Sequence, residues 1–108
     1  MLSMEVDASA YTSREQETKA GNPFLAAWGD TLKPGMKAVA VSRDLIPLGL
    51  DHGTKIKIEG LPGEYTVLDK MGKRWKKKID IYFGLDREAA KEWGKRKVTI
   101  YWKAEEDK

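Results

Sequence analysis

The chain has 108 residues, enough for one domain with a single modest core and too few for two. Its formal charge is +3 and its pI near 9.1, a mild excess that favours polyanionic partners where the cations cluster. The absence of cysteine excludes disulfides and thiolate metal sites, no apolar run is long enough to cross a bilayer, and the N-terminus MLSMEVDASAY shows no signal-peptide pattern.

Met4, Val6, Ala8 and Ala10 alternate with polar residues up to Tyr11, the period of a half-buried strand. The stretch 12–24 is polar and charged without periodicity and reads as a long surface loop of the kind that borders a cleft. It leads into the AAWG turn that carries Trp28. Lys33-Pro34-Gly35 is a turn signal, and Ala38 to Val41 a short buried strand. Asp44 to Gly49 follows as a brief helical or turn segment stopped by Pro47 and Gly49. Ile56 and Ile58 then alternate with Lys55, Lys57 and Glu59, and Gly60-Leu61-Pro62-Gly63 turns tightly into Glu64–Asp69, which predicts an antiparallel hairpin.

Lys70, Lys73, Arg74, Lys76, Lys77 and Lys78 crowd one loop around Trp75. Beyond it Ile79, Ile81 and Phe83 alternate with Lys78, Asp80 and Tyr82, so Asp80 faces away from the isoleucines. Asp86 caps a short helix over about 86–94, with Glu88 in its first turn, Ala89, Ala90 and Trp93 as its apolar stripe and Gly94 as its stop. Lys91, Lys95, Arg96 and Lys97 form a second cationic group, and Lys97 to Lys103 closes the chain as a strand. Residues 1–3 and 104–108 are expected to fray. The prediction is a single mainly β domain over 1–108, a small six-stranded closed or nearly closed barrel with one short helix.

Asp69 and Asp80 stand at the two mouths of the cationic loop. Burying an unpaired carboxylate is expensive. The two acids therefore either line a site or make solvated ion pairs with the loop, which contribute little to stability. The KRWKKK run around Trp75 also has the form of a nucleic-acid patch, although a solvated basic loop facing an anionic polymer is the commoner meaning. Trp28 and Trp75 lie in loops and can stack on sugar faces, while Trp93 and Trp102 follow core periodicity. His52 has no second ligand at metal-binding spacing, so neither metal nor cofactor is predicted.

In order, AYT at Ala10–Thr12, AVAVSRDLIPLG at Ala38–Gly49, IKIEG at Ile56–Gly60, VLDKMG at Val67–Gly72, KIDIYF at Lys78–Phe83 and EAAKEWGKRKVTIY at Glu88–Tyr101 resemble the three-aspartate (3D) domain. That family is shared by the C-terminal part of membrane-bound lytic transglycosylase A and by stationary-phase muralytic proteins. The resemblance covers nearly the whole chain, and the spacing of eleven between Asp69 and Asp80 fits it. It implies a double-psi β-barrel that cleaves the β-1,4 bond between N-acetylmuramic acid and N-acetylglucosamine without a metal, leaving a 1,6-anhydro product. Asp80 falls on the catalytic acid/base position and Asp69 on a supporting one. Ser42 stands where the first family aspartate would be, with Asp44 two residues on, and Lys70-Met71-Gly72 replaces a glycine-rich segment.

By the same resemblance Asp44, Ser42, Tyr11 and Thr12 are candidate substrate contacts, and Lys70, Trp75 and Lys78 of the basic loop and Trp28 join them by composition and position. The expected partner is a peptidoglycan glycan strand, in an exported or cell-wall-associated setting within a longer or processed chain. A non-catalytic module that binds glycan or another polyanion on the same fold is the alternative. Nucleic acid is the weaker expectation, and the sequence leaves oligomeric state open.

Overall fold

The computed structural model describes residues 2–12, 32–33 and 35–103. The predicted loop beyond Thr12, Trp28 and the tail 104–108 lie outside the described residues. The strands are β1 (Leu2–Tyr11), β2 (Ala38–Val41), β3 (Lys55–Ile58), β4 (Tyr65–Lys70), β5 (Lys78–Tyr82) and β6 (Arg96–Trp102). A 3-10 helix, Arg43–Leu48, joins β2 to β3, and α1 (Arg87–Trp93) joins β5 to β6. The six strands close into a barrel in the order β1-β5-β2-β4-β3-β6, the predicted fold class.

β1 is long enough to serve two neighbours. Its first part pairs antiparallel with β6, and its last part, Asp7 to Tyr11, pairs parallel with Lys78 to Tyr82 of β5. The strand begins at Leu2, ahead of the alternation that predicts it, because Leu2 and Ser3 pair with Trp102 and Tyr101. Of the residues expected to fray at this end, Leu2 and Ser3 are therefore held by β6. β2 pairs parallel with β4 and antiparallel with β5, and β3 pairs antiparallel with β4, as the predicted hairpin requires. Phe83 falls just past β5, where its N–H donates to the Tyr11 carbonyl at 2.9 Å.

Alternation fills the barrel. Val6, Val39, Val41, Ile56, Val67, Ile79, Ile81 and Ile100 point inward, and Leu45 and Leu50 join them from the 3-10 helix and the segment after it. Each such aliphatic side chain contributes roughly 1.5–3 kcal/mol relative to exposure. Gly49 ends the 3-10 helix at φ 109°, and a Cβ there would come within 3.2 Å of the Trp102 indole nitrogen, so both conformation and space call for glycine. The Asp86 carboxylate accepts the Ala89 N–H at 3.0 Å as the α1 cap. At the other end of α1 Trp93 packs against β1, its indole N–H donating to the Ala8 carbonyl at 3.3 Å.

β2 departs from simple alternation because both of its faces are buried. Val39 and Val41 face the interior, while Ala38 and Ala40 lie under a second apolar layer outside the barrel with Tyr11, Leu32 and Tyr82. The candidate site sits in this outer layer.

Candidate functional site

Residues paired across neighbouring strands point to the same face of a sheet. Ser9 pairs with Asp80, and Asp80 pairs with Ala40. On the other side of β2, Ala40 pairs with Asp69. The row Ser9, Asp80, Ala40, Asp69 therefore crosses four strands, and the two carboxylates flank a methyl group. Their strands stand two sheet spacings apart, about 10 Å, close enough for both side chains to lean over Ala40.

Asp69 reaches this row through a bulge. Val67 faces the interior opposite Val39, so by strict alternation Asp69 would follow it inside. The register instead shifts between Val39 and Ala40, leaving Leu68 as an extra residue and setting Asp69 beside Ala40. Leu68 packs in the outer layer as well. Bulges re-aim side chains in this way near functional sites.

The result is a groove of about 200 Å³ lined by Tyr11, Ala40, Asp69, Lys70, Met71, Gly72, Trp75 and Asp80. The Ser9 hydroxyl donates to Asp80 Oδ1 at 3.0 Å, and the Lys70 N–H donates to Asp69 Oδ1 at 2.9 Å. Tyr11 is 6% exposed, its ring centroid 5.4 Å from that of Tyr82, and its hydroxyl has no hydrogen-bond partner among the described residues. Burial, then the charges of Asp69 and Asp80 and the neighbouring Tyr82, push the phenol well above its ordinary range. Tyr11 thus remains a protonated donor beside two carboxylates.

Of the predicted residues, the groove gathers Asp80, Asp69, Tyr11, Lys70 and Trp75. Thr12 is fully buried and is not part of the lining, and Lys78 turns to the other side of Trp75, its Nζ 4.0 Å from the ring centroid. Arg74 also lies over that ring, at 4.6 Å, so two loop cations are held on the indole.

Ser42 and Asp44 lie outside the groove. Ser42 is 0% exposed, and its Oγ accepts the Lys78 N–H at 3.0 Å. Asp44 Oδ2 accepts the Lys77 N–H at 3.0 Å. Burial opposes ionisation of Asp44, but hydrogen bonds from the Ser42 side chain, from the Lys77 N–H and from its own backbone, with the Lys76 charge, hold its carboxyl below the usual carboxylate range. Between them the pair fixes Lys77 at φ 46°, a left-handed conformation that costs a non-glycine residue about 1–2 kcal/mol. Their geometry is that of a clamp on the basic loop.

Ser9 and Ala40 were missed by sequence reasoning. Both carry a faint signal: Ser9 shares the outward parity of Tyr11, and β2 alternates small and branched residues as Ala-Val-Ala-Val. Among the described residues no His, Cys, Asp or Glu group is placed to hold a metal, and no helix is long and apolar enough to cross a membrane.

Comparison with known proteins agrees with this architecture. An uncharacterised protein of Pasteurella multocida (strain Pm70), PM1780, is 38% identical over 64 residues, 59% of this chain and 57% of that protein, so the match spans little more than half of the relative's length. The crystal structure of apo expansin from Clavibacter michiganensis superposes with a TM-score of 0.63 at 16% identity, covering 99% of this chain and 53% of the expansin. A point mutant of that expansin in complex with cellohexaose superposes equally well. The shared fold is the double-psi β-barrel. A family model, the 3D domain, matches residues 37–103, which include both groove aspartates and most of the barrel, and the chain belongs to the 3D domain family.

Proposed function

We propose that this domain acts on the glycan strands of the bacterial cell wall, as a lytic transglycosylase with Asp80 as its single acid/base. The observation that carries the reading is the convergence of Asp80 and Asp69 over Ala40 in one open groove with an indole wall. An aromatic face and flanking carboxylates suit a saccharide, which offers apolar C–H faces and hydroxyl donors together. An expansin variant that contains the same fold in about half of its chain binds cellohexaose, a β-1,4-linked glycan, which supports the substrate class. The corresponding location is the exported, cell-wall side.

In this mechanism the Asp80 carboxylic acid protonates the glycosidic oxygen, and the bond from that oxygen to the muramyl anomeric carbon breaks. The N-acetylglucosamine side leaves as an alcohol. The Asp80 carboxylate then takes the proton of the muramyl C6 hydroxyl as that oxygen bonds to the anomeric carbon, giving the 1,6-anhydro ring and restoring the acid. No water is consumed, so no second carboxylate has to activate one, unlike in ordinary glycoside hydrolysis. Ser9 orients Asp80 by its hydrogen bond, and Asp69 and Tyr11 contact the sugar at either side.

Digestion of purified peptidoglycan with mass analysis of the products tests the reading. Release of 1,6-anhydromuropeptides that disappears in Asp80→Asn is the expected result. Equal release by that variant would overturn it. A second reading, a non-catalytic glycan-binding module, is favoured by one observation: Ser42 is spent on the loop clamp, leaving two carboxylates among the described residues of the groove. Binding of peptidoglycan with no release by the wild type selects it.

A further inference from the structure

Trp75 has a second hollow on its other side, of about 350 Å³, floored by Asp7, Ala8 and Ser9 of β1. Lys76 reaches it from the loop before β5 and Lys78 from the first position of β5, Lys95 from the turn before β6 and Arg96 and Lys97 from the start of β6. Among the described residues, five cations thus face one carboxylate. That carboxylate, Asp7, is 3.8 Å from Lys97 in an exposed pair that neutralises little of the excess. Arg96 is held in place by the end of α1, donating to the carbonyls of Trp93 and Glu92, and Lys78 rests on Trp75.

The two hollows are joined. Trp75 walls both, and Ser9, on the floor of the second, donates its hydroxyl proton to Asp80 in the first. The Ser42 and Asp44 clamp holds the backbone at Lys77 in its left-handed conformation between Lys76 and Lys78. Strain of this kind persists where the surroundings over-determine it, and it collects at functional sites. A saccharide lying across Trp75 from the carboxylate groove would carry its substituents over the cationic hollow.

We propose that this hollow is a subsite for carboxylate groups borne by the glycan, so that the domain takes an acidic, substituted saccharide in preference to a neutral one. The inference rests on the glycan reading above. In cell-wall glycan the carboxylate has two sources, the stem peptide where one is attached and the lactyl group of muramic acid where it has been removed.

Calorimetric titration of the Asp80→Asn protein, which binds without turnover, uses three probes: chitohexaose, glycan oligomers stripped of peptide, and the same oligomers with stem peptides. The peptide-bearing oligomer is expected to bind about tenfold tighter than chitohexaose at low salt, the advantage shrinking as salt is added. Lys76→Glu with Lys95→Glu, two exposed positions, removes the advantage and leaves chitohexaose binding unchanged. Lys55→Glu with Lys57→Glu on β3, the same change in net charge, preserves it. Because the lactyl carboxyl is an amide wherever a stem peptide is attached, tighter binding of the peptide-bearing oligomer than of the stripped one assigns the group to the stem, the reverse order assigns it to the lactyl carboxylate freed by stripping, and an equal advantage over chitohexaose means that the hollow takes either. Equal affinity for neutral and acidic probes, equal loss in both double variants, or tighter binding of single-stranded DNA than of any saccharide overturns the proposal. None of these outcomes depends on bond cleavage, so the subsite can fail while product release stands, and the reverse.

Discussion

Asp44 and Asp80 are both half-buried aspartates beside the basic loop, and their oxygens do different things. Asp44 takes the Lys77 N–H and the Ser42 hydroxyl, contacts that favour its charged form and hold its pKa down. Asp80 takes the Ser9 hydroxyl and opens onto a groove opposite Asp69. Asp44 is committed to structure, because protonating it would weaken the bonds that hold the loop at Lys77. Asp80 instead lines an open groove beside Tyr11 and Trp75, where a ligand can reach it.

Four measurements can break or sharpen that contrast. The largest effect is expected for Asp80→Asn, which should lower anhydro-product release by a factor of about a hundred or more while circular dichroism shows an intact barrel. An equal drop in Asp44→Asn would erase the distinction between the two acids. Next comes Ala40→Leu. A larger side chain under both groove carboxylates should cost roughly 1–3 kcal/mol in urea unfolding through overpacking and should abolish saccharide binding. Full binding by this variant would mean that the groove floor is not where substrate lies.

Tyr11→Phe removes a buried hydroxyl that has no partner among the described residues. Its stability should be unchanged or raised by about 1 kcal/mol, and a clear loss would show that the hydroxyl is bonded in solution. The smallest effect concerns pH. The folded pKa of Asp44 is depressed, so its stabilisation is present above the unfolded value of about 4 and is lost as pH falls through the lower folded value. Melting temperature should therefore fall more steeply below pH about 4 in the wild type than in Asp44→Asn, by a modest margin because solvent screens the group. Parallel curves would remove Asp44 from the clamp.

Much of the fold was legible from local pattern. Ile56 with Ile58 and Ile79 with Ile81 each mark a strand and its inner face by parity alone, Ala38 to Val41 reads as a short buried strand, and Asp86 with Gly94 bounds α1. The same parity turned Asp80 outward. Asp69 was harder, since it shares the parity of the interior Val67 and only the extra residue at Leu68 sends it outside. Ser42 and Asp44 match positions near the family's site motif, yet their bonds run to the backbone of a loop more than thirty residues later. No local signal reports such a contact.

Sequence by itself determined the strands, their inner faces, the β3–β4 hairpin and the helix caps, because each follows from side-chain period or from a turn of a few residues. Tertiary structure alone decided that β1 and β5, and β2 and β4, run parallel as neighbours. Such pairings join distant segments at a cost in loop-closure entropy that no short window encodes. They are also what sets Ser9, Asp80, Ala40 and Asp69 in one row, and so turns two scattered aspartates into a groove.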